Sequence, residues 1–222
     1  MRARIGLVAL FLAVLCGCGG SSGPSGNLRF VQGSATAPQF VDLYVNGKLQ
    51  SANLAYPNVT GYFSIRSGAH VQVLPSTSGT PILDTKVPIT SSGNETFIMT
   101  GTTGKFGSTL LIDGGGTAAT GDSNVRVVNA SIGMGTPDVY IVPAGTSISQ
   151  AVPTTANLGF DSNTGYVQVP QGAFEVFFTQ PGTKNAILAT GPISLASAAT
   201  QTVVGLDGPG GTGFAFTALT DQ

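Results

Sequence analysis

Charge is what this chain has least of. Only 9% of its 222 residues are Asp, Glu, Lys or Arg, against about 25% in a typical soluble domain. No run of like charge exceeds two residues. A nucleic-acid surface needs clustered Lys and Arg to neutralise phosphates, so that class of partner is excluded. Tryptophan is absent, there is one histidine, and the two cysteines stand at positions 16 and 18. A metal centre usually needs several His, Cys or carboxylates converging, and the ten acids are scattered. Long apolar runs are missing beyond the first fifteen residues, and helical periodicity is missing almost everywhere. The best exception, Ile193 to Ala199, is short and Ser-rich. Glycine, by contrast, is plentiful at 32 residues, about twice its usual share of ~7%. With 41% apolar residues the chain has enough apolar surface to offset the entropy of ordering, so it is expected to fold.

The N-terminus is composed differently. Arg2 and Arg4 precede an apolar run from Ile5 to Leu15, a charged region and a hydrophobic region of signal-peptide length. The run is too short to span a bilayer comfortably. It ends in Leu15-Cys16-Gly17-Cys18, which resembles the lipobox of bacterial lipoproteins. On that resemblance residues 1–17 are a lipoprotein signal peptide and Cys18 is the acylated residue. Cys16 is the rival acceptor, with the large Leu15 in the usual small-residue slot. A plain secretory signal or a short anchor helix are the competing readings. Acyl chains would hold the protein on the membrane, each buried CH₂ contributing about 0.8 kcal/mol. Gly19 follows, and in the sorting pattern of such lipoproteins the lack of Asp there implies the outer membrane or cell surface. The folded part would then carry no thiol and no disulfide, although the export route permits both. Without Arg2 and Arg4, 7 basic and 10 acidic residues remain, a net charge of −3.

The rest of the chain says the same thing twice. Asn27-Leu28-Arg29-Phe30-Val31, then Asp42-Leu43-Tyr44-Val45, returns as Asn124-Val125-Arg126-Val127-Val128, then Asp138-Val139-Tyr140-Ile141. The offsets are 97 and 96 residues, a domain-sized period. Residues 18–26 form the acylated Cys and a Gly/Ser tether. Residues 27–113 are the first repeat, 114–121 a Gly-rich linker, and 122–222 the second repeat. Within each repeat the period is two. Val41, Leu43 and Val45 alternate with Asp42, Tyr44 and Asn46, a strand with one buried face. Asn46-Gly47 is a type I′ hairpin signal. Tyr62 to Arg66 and His70 to Val73 return as Tyr166 to Val169 and Phe174 to Phe177, now at an offset of 104. Eight extra residues are therefore expected around Pro143 to Thr155. Later strands are expected at Ile82-Leu83, Phe97-Ile98-Met99 and Leu110-Leu111-Ile112. Their counterparts are Ile187-Leu188, Thr202-Val203-Val204 and Phe214-Ala215-Phe216. Six or seven short strands per repeat predict an all-β chain of two tandem immunoglobulin-like or transthyretin-like β-sandwich domains.

Val125 to Ser131 (V-R-V-V-N-A-S) and the following Asp138-Val139-Tyr140 resemble a bacterial family of secreted and lipid-anchored β-sandwich repeats, domain-of-unknown-function family 4397. The first repeat has a looser version, Leu28 to Ser34 and Asp42-Leu43-Tyr44. Both repeats carry the family's Gly-Tyr, at Gly61-Tyr62 and Gly165-Tyr166. Its P-x-G-x-aromatic-x-V turn stands at Pro170 to Val176, and Ser67 and His70 depart from it. The resemblance implies no activity.

Few residues offer chemistry. His70 aligns with Phe174 at the 104 offset, so it is expected at a packing position. Gly208 to Gly213 fits G-x-G-x-x-G, but no helix can follow in nine residues, so it reads as a hairpin loop. Gly19-Gly20-Ser21-Ser22-Gly23 fits G-x-S-x-G but lies in the tether. Asp161 to Gly165 hints at a calcium loop, with its Gly one position early and Gly172 where the bidentate Glu should be. No metal or cofactor is expected. Arg29 with Asp42, and Arg126 with Asp138, are expected as exposed cross-strand ion pairs. Tyr44, Tyr62, Tyr140 and Tyr166 are the candidate binding surface. Each repeat's pair is expected on consecutive strands of one sheet, as a platform for a sugar ring or protein partner, or else as a stiffening pair. The expected role is non-enzymatic: a lipid-anchored envelope protein that is structural, adhesive or protein-binding, with polysaccharide binding through the tyrosines as the alternative.

Overall fold

The computed structural model describes residues 24–89, 92–114, 116 and 118–221. The leader, Cys18 and the tether up to residue 23 lie outside the described residues.

Alternation and frequent Gly and Pro punctuation give strands throughout. The first repeat contributes β1 (Ser25–Gln32), β2 (Val41–Val45), β3 (Lys48–Leu54), β4 (Phe63–Arg66), β5 (Ala69–Pro75), β6 (Leu83–Val87), β7 (Asn94–Thr102) and β8 (Lys105–Asp113). The second contributes β9 (Asp122–Asn129), β10 (Asp138–Pro143), β11 (Ser162–Pro170), β12 (Gly172–Thr179), β13 (Ala186–Ala189), β14 (Ile193–Leu195), β15 (Thr200–Asp207) and β16 (Phe214–Thr220). Each repeat thus has eight described strands where six or seven were expected. Ile193 to Leu195, the start of the one helix-like stretch, is a strand.

The strands form four sheets, ordered β4-β1-β7-β8, β3-β2-β5-β6, β11-β9-β15-β16, and β10-β12-β13 with β14 also on β12. The first two enclose a core that includes Leu28, Phe30, Leu43, Val71, Val73 and Phe97. The last two enclose Val125, Val127, Val139, Val176, Phe178 and Val203. Each repeat is therefore a β-sandwich. In each, the first strand runs parallel to the seventh or its counterpart, β1 with β7 and β9 with β15.

A third core joins the two. Val31, Ile98 and Leu111 of the first repeat meet Val128, Ala130, Val204, Leu206 and Leu219 of the second. These residues alternate with those of the sandwich cores along β1, β7, β9 and β15. The molecule is thus a stack of four sheets, with two inner sheets back to back. The middle of an inner sheet is buried on both faces, so its central strands β1, β7, β9 and β15 carry nearly unbroken buried runs, as in Val125 to Asn129. The outer sheets keep one face to solvent and show clean alternation, as in β5.

Two turns carry out what the sequence predicts. Asn46 and Gly47 both have positive φ, at 50° and 75°, as a type I′ turn requires. The Gly208 to Gly213 segment connects β15 to β16 through a single 3-10 turn. A Cβ on Gly208 would stand 2.0 Å from the Thr212 carbonyl oxygen, so the loop closes only with glycine there.

Candidate functional site

The residues that repeat between the sandwiches converge at their junction. Arg29 on β1 and Arg126 on β9 point away from their own cores and are 4% and 3% exposed. Each reaches across to the other sandwich. Arg29 pairs with Asp221, and its Nη1 donates to the Thr220 carbonyl at 2.8 Å. Arg126 Nη2 donates to Asp113 Oδ1 at 2.5 Å, and its Nη1 to the Ile112 carbonyl at 2.7 Å. Within its own sandwich, Arg29 Nε donates to Thr96 Oγ1 at 2.7 Å, and Arg126 Nε to Thr202 Oγ1 at 2.9 Å. The threonines pass the chain on, Thr96 donating to Asp113 and Thr202 to Asp221. Tyr62 OH donates to Asp113 Oδ2 at 2.8 Å, and Tyr166 OH to Asp221 Oδ2 at 2.7 Å. The guanidinium carbons lie 4.9 Å and 4.5 Å from the centres of the Tyr62 and Tyr166 rings, within cation–π range.

This is a lock with two-fold pseudosymmetry: Arg, Tyr, Thr and Asp from each repeat, each arginine's nearer aspartate lying across the junction and its own repeat's aspartate at 3.6 Å or 3.7 Å. Two positive and two negative groups balance. Burying four charges is tolerable only where each is paired and bonded, as here. Burial and the bond to Asp113 push the Tyr62 hydroxyl well above its ordinary pKa, and burial with the bond to Asp221 does the same for Tyr166. A further contact spans the junction, where Tyr56 OH donates to the Asp207 carbonyl. Burial and the nearby Asp207 carboxylate push Tyr56 up to about 12.

Several expectations are corrected here. Arg29 does not pair with Asp42, nor Arg126 with Asp138, because β1 and β2 lie in opposite sheets of the sandwich, as do β9 and β10. Asp42 instead accepts from the Asn53 amide and Ser76 Oγ. Asp138 accepts from the Asn157 and Gly182 amides. The true partners, Asp113 and Asp221, end their repeats. The last strands therefore align Leu111 with Leu219 and Asp113 with Asp221, rather than Leu110–Ile112 with Phe214–Phe216. Thr96 with Thr202 fixes this register, since each faces its repeat's arginine and leucine.

The tyrosine platforms fail for the same reason. Tyr44 on β2 and Tyr62 just before β4 belong to different sheets, and so do Tyr140 on β10 and Tyr166 on β11. Tyr62 and Tyr166 are spent in the lock. Tyr140 is 2% exposed, with Lys184 Nζ 4.4 Å above its ring and 3.0 Å from its hydroxyl. Lys184 is itself tied to the Ala151 carbonyl, on the segment expected to carry the extra residues. Tyr44 is partly exposed on the outer sheet, opposite Gln72 of β5 and Leu49 of β3.

His70 is not at a packing position. Its neighbours Ala69 and Val71 are buried, while its side chain is 40% exposed and bonded to Asp84. The pairing of β2 with β5 and of β10 with β12 puts Val73 level with Phe178, an offset of 105. His70 is therefore the counterpart of Glu175. One residue extra at the corner before β12 shifts the alternation and swaps the faces. Gln72 and His70 both donate to Asp84, and these bonds hold its carboxyl below the usual range.

Of the suspected calcium loop, Asn163 Oδ1 accepts from the Gly165 amide and Asp161 Oδ2 lies 3.4 Å from Thr100 Oγ1. Among the described residues no group of three or more His, Cys, Asp or Glu could hold a metal ion.

Two solved structures are similar at a low level. One is CBMbc, a family CBM26 module from Eubacterium rectale Amy13K in complex with maltoheptaose. It is 12% identical over 87% of this chain and 96% of that one, with a TM-score of 0.26. The other is a product complex of SpuA, a multi-modular glycogen-degrading pneumococcal virulence factor. It is 9% identical over 83% of this chain and 21% of that one, with a TM-score of 0.25. Both scores are too low to bear on the fold or on a ligand. No curated protein matches the chain. A family model, Domain of unknown function (DUF4397), matches residues 26–140, which span the first sandwich and the second as far as Tyr140. The chain belongs to the DUF4397 family.

Proposed function

We propose that the protein is a non-enzymatic, lipid-anchored component of a bacterial envelope, a rigid post with a structural, adhesive or protein-binding role. The observation that carries this reading is the junction. The arginines and half of the repeated tyrosines hold the sandwiches together rather than forming a reaction centre. The acid–base pair His70 with Asp84 stands on an outer sheet with both side chains well exposed to water. The anchor rests on the leader and Cys18. Feeding cells a labelled fatty acid tests it: the wild-type protein is expected to carry label and sediment with membranes, and Cys18→Ser to do neither. Unlabelled wild-type protein would remove the anchor from the account.

A second reading has one observation in its favour. The outer face of the first sandwich presents Tyr44 beside Gln72, with Asp84 and His70 on the next strands. An aromatic ring flanked by hydrogen-bonding groups suits a sugar. Loss of polysaccharide retention in Tyr44→Ala, with the fold intact, would favour it.

A further inference from the structure

At one end of the junction the sandwiches part to leave a cleft of about 360 Å³. Phe160, Asp161 and Ile132 approach from the second sandwich, and Thr100, Lys105 and Phe106 from the first. Its apolar walls are unusually open for this molecule: Ile132 is 45% exposed and Phe160 38%. Lys105 and Phe106 also line a second cleft of about 710 Å³ at the end of the first sandwich. The two spaces therefore lie on either side of the same hairpin and share a wall.

Asp161 is the informative residue. Its backbone is left-handed, with φ of 58°, and its amide donates to the Asn129 carbonyl at 2.8 Å, so its position is fixed. One carboxylate oxygen faces Thr100 at 3.4 Å. The other, Oδ1, is buried and has no hydrogen-bond partner among the described residues. A buried carboxylate oxygen without a donor is costly, and native structures rarely leave one so. Asp161, which lines the cleft, thus has accepting capacity that no group among the described residues fills.

The surrounding charges choose the ligand class. Lys105 lines the same cleft and disfavours a cation there, while Asp161 disfavours an anion. What fits both is a neutral molecule that gives hydrogen bonds to a carboxylate, takes one from an ammonium, and rests an apolar face on Phe106 or Phe160. A saccharide ring has all three properties. We propose that this cleft binds a neutral oligosaccharide. Asp161 accepts from a ring hydroxyl, Lys105 donates to another, Phe160 packs on the ring, and further units extend past Phe106 into the larger cleft. This site is separate from the Tyr44 face and does not depend on the anchor.

The full chain in detergent would be applied to surfaces bearing neutral hexose and N-acetylhexosamine oligomers of three to seven units, and to a polylysine surface. Saturable retention on at least one oligomer is expected, reduced at least tenfold by Phe160→Ala and by Asp161→Asn, and unchanged by Tyr44→Ala. Phe160 is partly exposed and Asn tolerates the left-handed backbone, so both variants keep the fold. Circular dichroism and the denaturation midpoint check this. The proposal is overturned if no oligomer is retained, if only Tyr44→Ala abolishes retention, if folded Phe160→Ala and Asp161→Asn bind as wild type, or if polylysine is preferred.

Discussion

The two inner sheets are near copies of each other, and the two outer sheets are not. Both inner sheets have the same strand order and the same Arg, Thr, Tyr and Asp at matching register. The outer sheets differ in three ways. The first has β3 beside β2, whereas in the second the same edge is a single bridge between Val139 and Thr155. The first has one continuous β6, whereas its counterpart is broken into β13 and β14 at Thr190 to Pro192. Tyr44 is partly open, whereas Tyr140 lies beneath Lys184. The difference has a physical source. The junction face of each inner sheet packs against the other repeat, so a change on one side leaves a cavity or a weakened ion pair on the other. An outer residue faces water, and most changes there cost little.

The largest effect is expected from breaking the lock. Arg126→Ala removes the closer of the two cations on buried Asp113, leaving Arg29 at 3.6 Å, and should cost about 3–5 kcal/mol of unfolding free energy, read by urea denaturation. Emptying the junction core should come next: Leu206, fully buried, is expected to cost about 2–5 kcal/mol as Leu206→Ala. The same substitution at Leu49, 53% exposed on the outer sheet, should stay within about 0.5 kcal/mol. Equal losses at both sites would erase the contrast between inner and outer sheets.

Smaller effects sharpen it. Tyr62→Phe and Tyr166→Phe each remove one hydrogen bond to a buried carboxylate, about 1–2 kcal/mol at neutral pH. Both tyrosines are held above the ordinary value of 10.0 by burial and by their aspartates. The unfolded tyrosines ionise first, so their stabilisation is complete below pH 10 and is lost as pH rises beyond it. The double Phe variant should therefore show a shallower loss of stability above pH 10 than the wild type. Smaller again is Lys184→Ala, which uncovers Tyr140. It should lose about 0.5–1 kcal/mol and raise the quenching of tyrosine fluorescence by acrylamide.

Much of the fold was legible. The two-residue period, the Asn46-Gly47 turn and the hundred-residue repeat lead to two sandwiches because each follows from local geometry. The lock was half legible. Arg29 and Arg126, Tyr62 and Tyr166 stand out as repeats, but so do Asp42 and Asp138, and recurrence alone points to those acids as the partners. β1 and β2 go to opposite sheets, as do β9 and β10, so shared recurrence misleads. The signal for the true partners was present in Leu111-Ile112-Asp113 and Leu219-Thr220-Asp221, both ending their repeats after a buried leucine. His70 was misplaced by a single residue at the corner before β12, which no periodicity argument can detect when the flanking strands alternate equally well in either frame. Phe160 and Asp161 gave no repeat signal, because the cleft they line exists only where the two sandwiches meet.

The central claim is that Arg29 and Asp221, 192 residues apart, act as one unit across the junction. A double-mutant cycle on Arg29→Ala and Asp221→Ala, measured by equilibrium denaturation, tests it directly. The account predicts a double variant less destabilised than the two single losses combined, with a coupling of about 1–3 kcal/mol. Additivity within about 0.5 kcal/mol would contradict the lock.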